Sequence, residues 1–280
     1  MKIIESSQNM QSLALELKSL KQKLILVPTM GALHEGHLAL VDQAKQLGDK
    51  VVLSVFVNPT QFGAGEDFEK YPRPLEKDQE LAQARGVDYF FVPKASEVYP
   101  AGDQTVVMVT ELSRGLCGAF RPGHFRGVAT VVTKLFLICQ PHAAVFGEKD
   151  YQQLQVIKRL AQDLHFPIKI IGVPTLREKD GLALSSRNAY LNTLQRQIAL
   201  KLPQSLQWAV RAVQQGEQES RVIKEKIIQD LQDPQIKIDY IEVVDSETLE
   251  PLPKIKAQAR LLAAIRVGET RLIDNLPLKL

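Results

Sequence analysis

The feature that most constrains the fold is a regular alternation between short apolar runs and longer amphipathic stretches, which extends from Leu24 to Val173. Short apolar runs are typical of buried strands, and the stretches between them have the periodicity of helices. Strands that alternate with helices predict βαβ units and a parallel sheet. The predicted strands are Leu24–Val27, Val51–Val57, Tyr89–Val92, Ala143–Phe146 and Ile168–Val173, and the predicted helices are Leu38–Leu47, Glu76–Arg85, Val128–Cys139 and Tyr151–Leu164.

This alternation predicts an α/β fold class, namely a Rossmann-like doubly wound parallel sheet. Right-handed crossovers would place the helices on both faces of the sheet and gather the ligand-binding loops at the carboxyl ends of the strands. Candidate functional residues are therefore expected directly after each strand.

The last part of the chain has a different character. Long helices are predicted at Leu194–Gln214 and Glu219–Leu231, followed by strands at Ile238–Val244 and Leu261–Val267. This order predicts a smaller α+β domain. We therefore divide the chain into a Rossmann-like domain over residues 1–175 and a C-terminal domain over residues 176–280.

Composition narrows the possible partners and location. The 35 Lys and Arg and 32 Asp and Glu residues are interspersed and give a net charge of +3, without the basic stripe of a nucleic-acid-binding protein. No apolar run reaches the 18 residues of a membrane span, so we expect neither nucleic acid nor membrane as a partner. Two cysteines, Cys117 and Cys139, provide no disulfide framework, which favours a cytoplasmic protein.

The first predicted strand leads into a glycine-containing turn with two histidines, His34 and His37, and then into a helix. A helix N-terminus with free N–H groups is a site for anions, and histidines there can hydrogen-bond phosphate oxygens. Capping or core histidines are the alternative. A zinc site of the His-Glu-x-x-His type does not fit, because the second histidine comes one residue too early.

Other candidate residues follow the later strands. Asn58 and Gln61 are amides that can orient a hydroxyl or carboxylate group, although Asn-Pro is also a common turn. Asp78, near Arg73, can chelate magnesium or form a surface salt bridge. The basic turn Arg121–Gly127 can meet an anion or be a solvated loop.

Two further segments carry phosphate-binding chemistry. After the strand ending at Phe146, Lys149 can neutralise a phosphate, and Gln153 lies one helical turn later. The segment Ser185–Asn188 combines hydroxyls with Arg187, which is typical of a loop that closes over a triphosphate and also of helix capping.

Taken together, these segments resemble the pantoate-β-alanine ligase (pantothenate synthetase) family from about Pro28 to Leu191, and more loosely beyond. The histidine segment is also similar to the HIGH signature of nucleotidylyltransferases and class I aminoacyl-tRNA synthetases. The motifs that carry the resemblance are Pro-Thr-Met-Gly-Ala-Leu-His-x-Gly-His, Phe-Val-Asn-Pro-x-Gln-Phe, Tyr-Pro-Arg, Arg-Pro-Gly-His-Phe-x-Gly-Val-x-Thr-Val-Val, Phe-Gly-Glu-Lys-Asp-x-Gln-Gln and Ser-Ser-Arg-Asn.

The resemblance implies an AMP-forming ligase that joins pantoate to β-alanine through a pantoyl adenylate, with Mg²⁺ accompanying ATP. It also implies a homodimer whose C-terminal domain acts as a lid. His34, His37, Lys149 and Arg187 would be catalytic, with His37 stabilising the transition state, and Asp78 would help to place the metal. The implied ATP contacts are Met30, His34, His37, Gly147, Lys149, Asp150, Leu176, Leu184, Ser185, Ser186 and Arg187, and the implied pantoate contacts are Met30, Asn58, Gln61 and Gln153.

The chain departs from the usual family pattern at Leu137, His142 and Pro74, none of which is an implied site residue. Two other functions compete. An adenylyltransferase acting on a phosphorylated acceptor would need additional cations, whereas Gln61 and Gln153 suit a hydroxy acid. A catalytically silent nucleotide-binding or RNA-associated module is the other alternative, because a fold does not fix a function.

Overall fold

The computed structural model describes residues 1–280, and its centre is a six-stranded sheet in which all paired strands are parallel. The strands are β1 Lys2–Ile4, β2 Leu24–Thr29, β3 Lys50–Val55, β4 Tyr89–Phe91, β5 Ala143–Gly147 and β6 Lys169–Val173. Their order across the sheet is β1-β4-β3-β2-β5-β6. The chain therefore moves outward from β2 in one direction and restarts beside it with β5, which creates a topological switch point between these two strands.

Helices cover both faces of this sheet. They are α1 Ser7–Ser19, α2 Glu35–Leu47, α3 Leu75–Ala84, α4 Ala95–Val98, α5 Cys117–Phe120, α6 His124–Cys139 and α7 Tyr151–Asp163. One core contains residues of α1, α6 and α7, and the other contains residues of α2 and α3. Alternate strand residues contribute to opposite cores, as with Leu24 and Leu26 on one face and Ile25 and Val27 on the other.

The C-terminal part is a separate α+β layer. Its elements are α8 Thr193–Ala199, α9 Lys201–Gln214, α10 Ser220–Asp230, β7 Ile236–Asp245, β8 Ala259–Val267 and β9 Thr270–Leu278. The three strands form an antiparallel sheet in the order β7-β8-β9, and their apolar residues share one core with α8, α9 and α10. The predicted fold class, a Rossmann-like parallel sheet followed by a smaller α+β domain, is confirmed. The boundary at residue 175 stays a prediction.

The structure differs from the sequence prediction at several elements. The predicted helix Leu194–Gln214 is divided into α8 and α9 at Leu200. Pro203 accounts for the break, because its ring has no N–H and would clash with a carbonyl one turn earlier if the helix were continuous. Strand β9 was missed because Asp274, Asn275 and Pro277 interrupt its apolar pattern. Strand β1 and helix α1 were also missed.

No helix of the chain has the length and apolarity needed to cross a bilayer.

Candidate active site

The first histidine lies where the loop after β2 enters α2. His34 is the N-cap residue of α2, and its Nδ1 accepts a hydrogen bond from the backbone N–H of Gly36 at 3.1 Å. A Cβ on Gly36 would lie 2.8 Å from the His34 ring, so glycine allows the ring to fold back onto the helix end. Because Nδ1 is the acceptor, the proton belongs on Nε2, which becomes a hydrogen-bond donor. The capping interpretation is thus correct for His34 and leaves a donor free.

The second histidine packs directly on the first. The ring centroids of His34 and His37 are 4.0 Å apart, and their planes meet at 25°. Burial, followed by the neighbouring His34, lowers the pKa of His37 to about 3, and burial, followed by the charge of Lys149, lowers the pKa of His34. The His37 Nδ1 atom is buried without a hydrogen-bond partner. At neutral pH the site therefore contains two uncharged imidazole rings, and each ring has a nitrogen available for a hydrogen bond to a ligand.

A cation lies close to this pair because β5 is adjacent to β2 in the sheet. Lys149 belongs to the short 3₁₀ turn Glu148–Asp150 that follows β5, and its Nζ is 3.9 Å from Oδ2 of Asp150. Loss of hydration on burial raises the pKa of Asp150, but the positive charges of Lys149 and Arg187 have the larger effect together. The pKa of Asp150 is therefore below its usual range. The basic side chain of Lys149 thus lies beside two neutral donors, an arrangement suited to an anion.

The serine and arginine segment lies on the other side of the cavity. Ser185 caps the 3₁₀ helix Ser186–Tyr190 by accepting a hydrogen bond from the N–H of Arg187 at 3.3 Å. Nε and Nη2 of Arg187 donate to the two carboxylate oxygens of Asp67, each at 3.0 Å. Tyr71 and Ser186 have their hydroxyl oxygens 3.4 Å apart. The loop between residues 62 and 74 is thus attached to this segment.

Two amide side chains, those of Asn58 and Gln61, follow β3, and Asn58 lies deeper in the protein than Gln61. Asn58 is 1% exposed, and its Oδ1 accepts from the Tyr99 hydroxyl at 2.9 Å and from Thr60. Its Nδ2 donates to Gln61 Oε1 at 3.1 Å. With both amide atoms engaged, Asn58 holds Gln61 in place.

Gln61 and Gln153 provide the hydrogen-bonding groups of this pocket. Gln61 Nε2 is 3.1 Å from the sulfur of Met30, which is a weak acceptor, so a better acceptor can replace it. Gln153 is half-buried on α7 and lines the same cavity. Two neutral amides are therefore available to a polar ligand.

These groups line one cavity of about 220 Å³ at the switch point between β2 and β5. A wider cleft of about 910 Å³ lies against it and shares Lys149, Asp150, Gln153 and Arg187. The predicted site residues that line the smaller cavity are Met30, His34, His37, Asn58, Gln61, Gly147, Lys149, Asp150, Gln153, Leu176, Leu184, Ser185, Ser186 and Arg187. A concave site with an anion-binding end and an amide end results, as expected at a switch point.

Comparison with known proteins agrees with this geometry. The family model for pantoate-beta-alanine ligase matches residues 2–277. The chain belongs to this family. A pantothenate synthetase of Sulfurihydrogenibium sp. is 50% identical over 278 residues, which are 99% of each chain.

Two solved structures of the family superpose along the whole length. Pantothenate synthetase from Thermus thermophilus has a TM-score of 0.95 and 45% identity, with 100% of both chains covered. Pantoate-beta-alanine ligase from Francisella tularensis, in complex with beta-gamma ATP and beta-alanine, has a TM-score of 0.80 and 35% identity, covering 99% of this chain and 97% of that one. The family resemblance seen in the motifs is confirmed, and with it the class of amide-forming ligases.

A hydrogen-bonded network in the wall of the cavity was not predicted as part of the site. Arg121 donates to both carboxylate oxygens of Glu66, at 2.7 and 2.6 Å, and its Nη1 is 3.1 Å from Nε2 of His124. His124 Nδ1 in turn lies 2.9 Å from the carbonyl oxygen of Gln61. The basic turn was a candidate anion site in the sequence, but Glu66, which already balances the charge of Arg121, gave no sequence signal.

Asp78, proposed from the sequence as a residue that places magnesium, has another role in the structure. The residue is 1% exposed, and its Oδ2 and Oδ1 accept the backbone N–H groups of Ala32 and Leu33 at 2.8 and 2.7 Å. Ala32 has a positive φ of 50°, a conformation that costs free energy in a non-glycine residue. Asp78 stabilises the strained loop that leads to His34, and it does not line the cavity.

No group of three or more His, Cys, Asp or Glu side chains has the arrangement of a metal site. Magnesium does not require one, because it keeps several waters and is bound by substrate phosphates with one or two carboxylates. Asp150 is a carboxylate that lines the cavity beside Lys149, and its lowered pKa keeps it ionised. The donor set therefore fits a magnesium ion that enters with a nucleotide.

Proposed function

We propose that the protein uses ATP to condense pantoate with β-alanine, giving pantothenate, AMP and pyrophosphate. The observation that carries this proposal is that one cavity contains both anion-binding groups and neutral amide groups. His34, His37 and Lys149 form its anion-binding end, and Gln61 and Gln153 form its neutral amide end. Membership of the pantoate-beta-alanine ligase family supports the same assignment.

The reaction proceeds in two displacements. The pantoate carboxylate attacks the α-phosphorus of ATP, and the bond to pyrophosphate breaks, leaving pantoyl adenylate. The amine of β-alanine then attacks the acyl carbon, and AMP leaves with the former carboxylate oxygen. Neither step needs a covalent bond to the protein, so alignment of the two anions and stabilisation of phosphoryl charge dominate catalysis.

The ligands of ATP are the groups on both sides of the cavity. Lys149 and the N–H groups of His34 and His37 contact the α-phosphoryl oxygens, where charge increases in the transition state. Neutral imidazoles suit this task because they donate hydrogen bonds without requiring a buried counter-ion. Arg187 binds the outer phosphates after exchanging its partner Asp67 for them. The remaining nucleotide contacts are Met30, Gly147, Asp150, Leu176, Leu184, Ser185 and Ser186.

Pantoate occupies the amide end. Gln61 and Gln153 hydrogen-bond its hydroxyl and carboxylate groups without adding charge, and Met30 packs against it. Asn58 acts through Gln61, which it holds by a 3.1 Å hydrogen bond. An acceptor carrying a phosphate fits less well, because Arg121, whose Nη2 lies 3.4 Å from the carbonyl oxygen of Gln61, is already paired with Glu66. This pairing favours a hydroxy acid over a phosphorylated adenylyl acceptor.

Asp150 would help to hold a magnesium ion that accompanies ATP, and the ion would neutralise charge on the phosphates. We also propose that two subunits form a homodimer, that the C-terminal domain moves as a lid, and that the enzyme is cytoplasmic. The two free buried cysteines support a reducing compartment. Light scattering of the purified chain tests the dimer directly, with a mass of one subunit as the contrary result.

The decisive experiment measures pyrophosphate release with ATP and Mg²⁺, adding pantoate and β-alanine singly and together. Adenylate formation requires that release depend on pantoate, and ligation requires that steady turnover also need β-alanine. His37→Ala should abolish release, whereas the matched control His142→Ala, an exposed histidine, should not. Folded, ATP-binding protein without pantoate-dependent release would contradict the proposal.

A further inference from the structure

One asparagine of the C-terminal sheet connects that sheet to the turn that carries Lys149. Asn275 in β9 is 3% exposed, and its Nδ2 donates to the carbonyl oxygens of Glu148 and Lys149 at 2.9 and 3.0 Å. Its Oδ1 accepts a hydrogen bond from Nε of Arg260 at 2.7 Å. Both N–H donors and the oxygen of this amide are therefore engaged.

Arg260 reinforces the same connection from β8. Its Nη2 donates to the Glu148 carboxylate at 2.9 Å, and its guanidinium group lies 3.6 Å from the centroid of the Tyr151 ring. The turn is thus held by contacts before, at and after Lys149. The turn has no side-chain cap from its own part of the chain, so these contacts from the C-terminal sheet are its side-chain supports.

The residue before Asn275 holds the opposite side of the cavity. Asp274 accepts two hydrogen bonds from Arg177, at 2.7 and 2.8 Å, and its side chain is 1% exposed. Arg177 begins the segment that leads to Ser185 and Arg187. Two consecutive residues of β9 therefore hold the elements that carry Lys149 and Arg187, two of the cations that line the cavity.

We propose that Asn275 is a positioning residue that sets the place of the Lys149 ammonium group, so that this group is aligned only when the C-terminal sheet is docked. The inference rests on the proposed role of Lys149 in binding ATP. Asn275 does not line the smaller cavity and acts through the backbone of Lys149. A displacement of about 1 Å in a group that contacts the reacting atoms is enough to cost on the order of a hundredfold in rate.

The test is a double-mutant cycle between Asn275→Asp and Lys149→Ala in the full-length protein. Asn275→Asp keeps the shape and the acceptor for Arg260 but replaces the two N–H donors by an oxygen that faces two carbonyls. We expect kcat/KM for ATP to fall on the order of tenfold to a hundredfold. The KM for pantoate should change little, since Gln61 and Gln153 are untouched. In the Lys149→Ala background, the same change should cost less than about twofold, because coupled residues are not additive.

Asn192→Asp is the matched control. Asn192 lies in the same domain and uses only its oxygen, which accepts from the N–H of Gln195 at 2.9 Å, so an aspartate can replace it. The control should keep wild-type activity. If Asn275→Asp folds poorly, Asn275→Ser keeps one donor and gives an intermediate loss in the same cycle.

Two results would overturn the inference. Equal losses from Asn275→Asp with and without Lys149 would mean that the asparagine only stabilises the domain contact. Full activity of Asn275→Asp would mean that the contact does not position Lys149. The affinity of the wild type and of each variant in the cycle for ATP is also measured by calorimetry, which needs no turnover. Failure of the proposed ligase reaction, seen as no pantoate-dependent release by the wild type, is thereby distinguished from failure of the positioning role.

Discussion

Arg187 and Asp67 form a two-point ion pair across the mouth of the cavity, although 120 residues separate them in the chain. Both side chains are only about a quarter exposed, at 25% and 24%. The Arg187 guanidinium group also lies 5.9 Å from the Tyr71 ring. The Asp67 carboxylate thus accepts the hydrogen bonds of the arginine that is proposed to bind the outer phosphates. The phosphates of ATP must therefore compete with Asp67 for Arg187.

This competition predicts that Asp67→Asn binds ATP more tightly. A partly exposed ion pair contributes about 0.2 to 1 kcal/mol, which corresponds to a gain in affinity of roughly 1.4-fold to fivefold. Isothermal titration calorimetry with ATP and Mg²⁺ measures the change. Asp103→Asn, which removes the partner of Lys134 outside this cavity, is the control and should bind like the wild type. Weaker binding by Asp67→Asn would instead make Asp67 part of the ATP site.

Acid should destabilise the protein through His37. Its folded-state pKa is lowered to about 3, while the unfolded chain takes up a proton near pH 6.5, so stability present above pH 6.5 is lost as the pH falls toward 3. Between pH 7 and 5, His37 alone accounts for about 2 kcal/mol of lost stability, because the slope approaches roughly 1.4 kcal/mol per pH unit below pH 6.5.

Urea unfolding at pH 7 and pH 5 measures this loss. His37→Gln removes the titrating group and should reduce the pH dependence. Some dependence should remain, because burial, followed by the charge of Arg121, also lowers the pKa of His124, to about 4. An identical slope for His37→Gln and the wild type would contradict the assignment.

Gln153→Glu should selectively damage pantoate binding. A carboxylate at this position faces the carboxylate of the acid, and like charges at such a distance repel. We expect the KM for pantoate to rise by about tenfold or more, with each tenfold step equal to about 1.4 kcal/mol. ATP affinity measured without pantoate should change much less. Gln162→Glu, on the exposed side of the same helix, is the control. A loss confined to ATP binding would place Gln153 at the nucleotide instead.

Asn58→Ala should destabilise the protein as well as weaken pantoate binding. The change leaves the buried Gln61 amide oxygen without its donor and removes one of the two partners of the Tyr99 hydroxyl. A buried group left unsatisfied costs about 1 to 3 kcal/mol. The free energy of unfolding in urea measures the first effect, and the KM for pantoate the second. A raised KM with unchanged stability would indicate direct contact between Asn58 and the acid.

Asp78→Asn should reduce stability and activity in a way that magnesium does not reverse. The amide has one acceptor oxygen where the carboxylate uses two, so the N–H of Ala32 or Leu33 loses its partner, at a cost of about 1 to 3 kcal/mol. Activity is measured over a range of Mg²⁺ concentrations. Recovery of wild-type activity at high Mg²⁺ would support a metal-binding role instead of the loop contact.

The sequence alone predicted five of the six strands of the parallel sheet, four of the helices that pack on it and many of the groups that line the cavity. These are local properties: periodicity defines an element, and residues after parallel strands meet at one edge whatever the details of packing. His34, His37 and Lys149 could be grouped for this reason, because they follow β2 and β5 at the switch point.

Only the tertiary structure decided which charged and polar side chains pair across long separations. Arg187 with Asp67, Asp78 with the Ala32 loop and Asn275 with the Lys149 turn all depend on how loops and domains pack, and no spacing in the chain encodes them. The same limit hid β9, where Asp274 and Asn275 break the apolar pattern because they bind Arg177 and the Lys149 turn. In each case a buried polar group must find a partner, and the fold determines which partner is in reach.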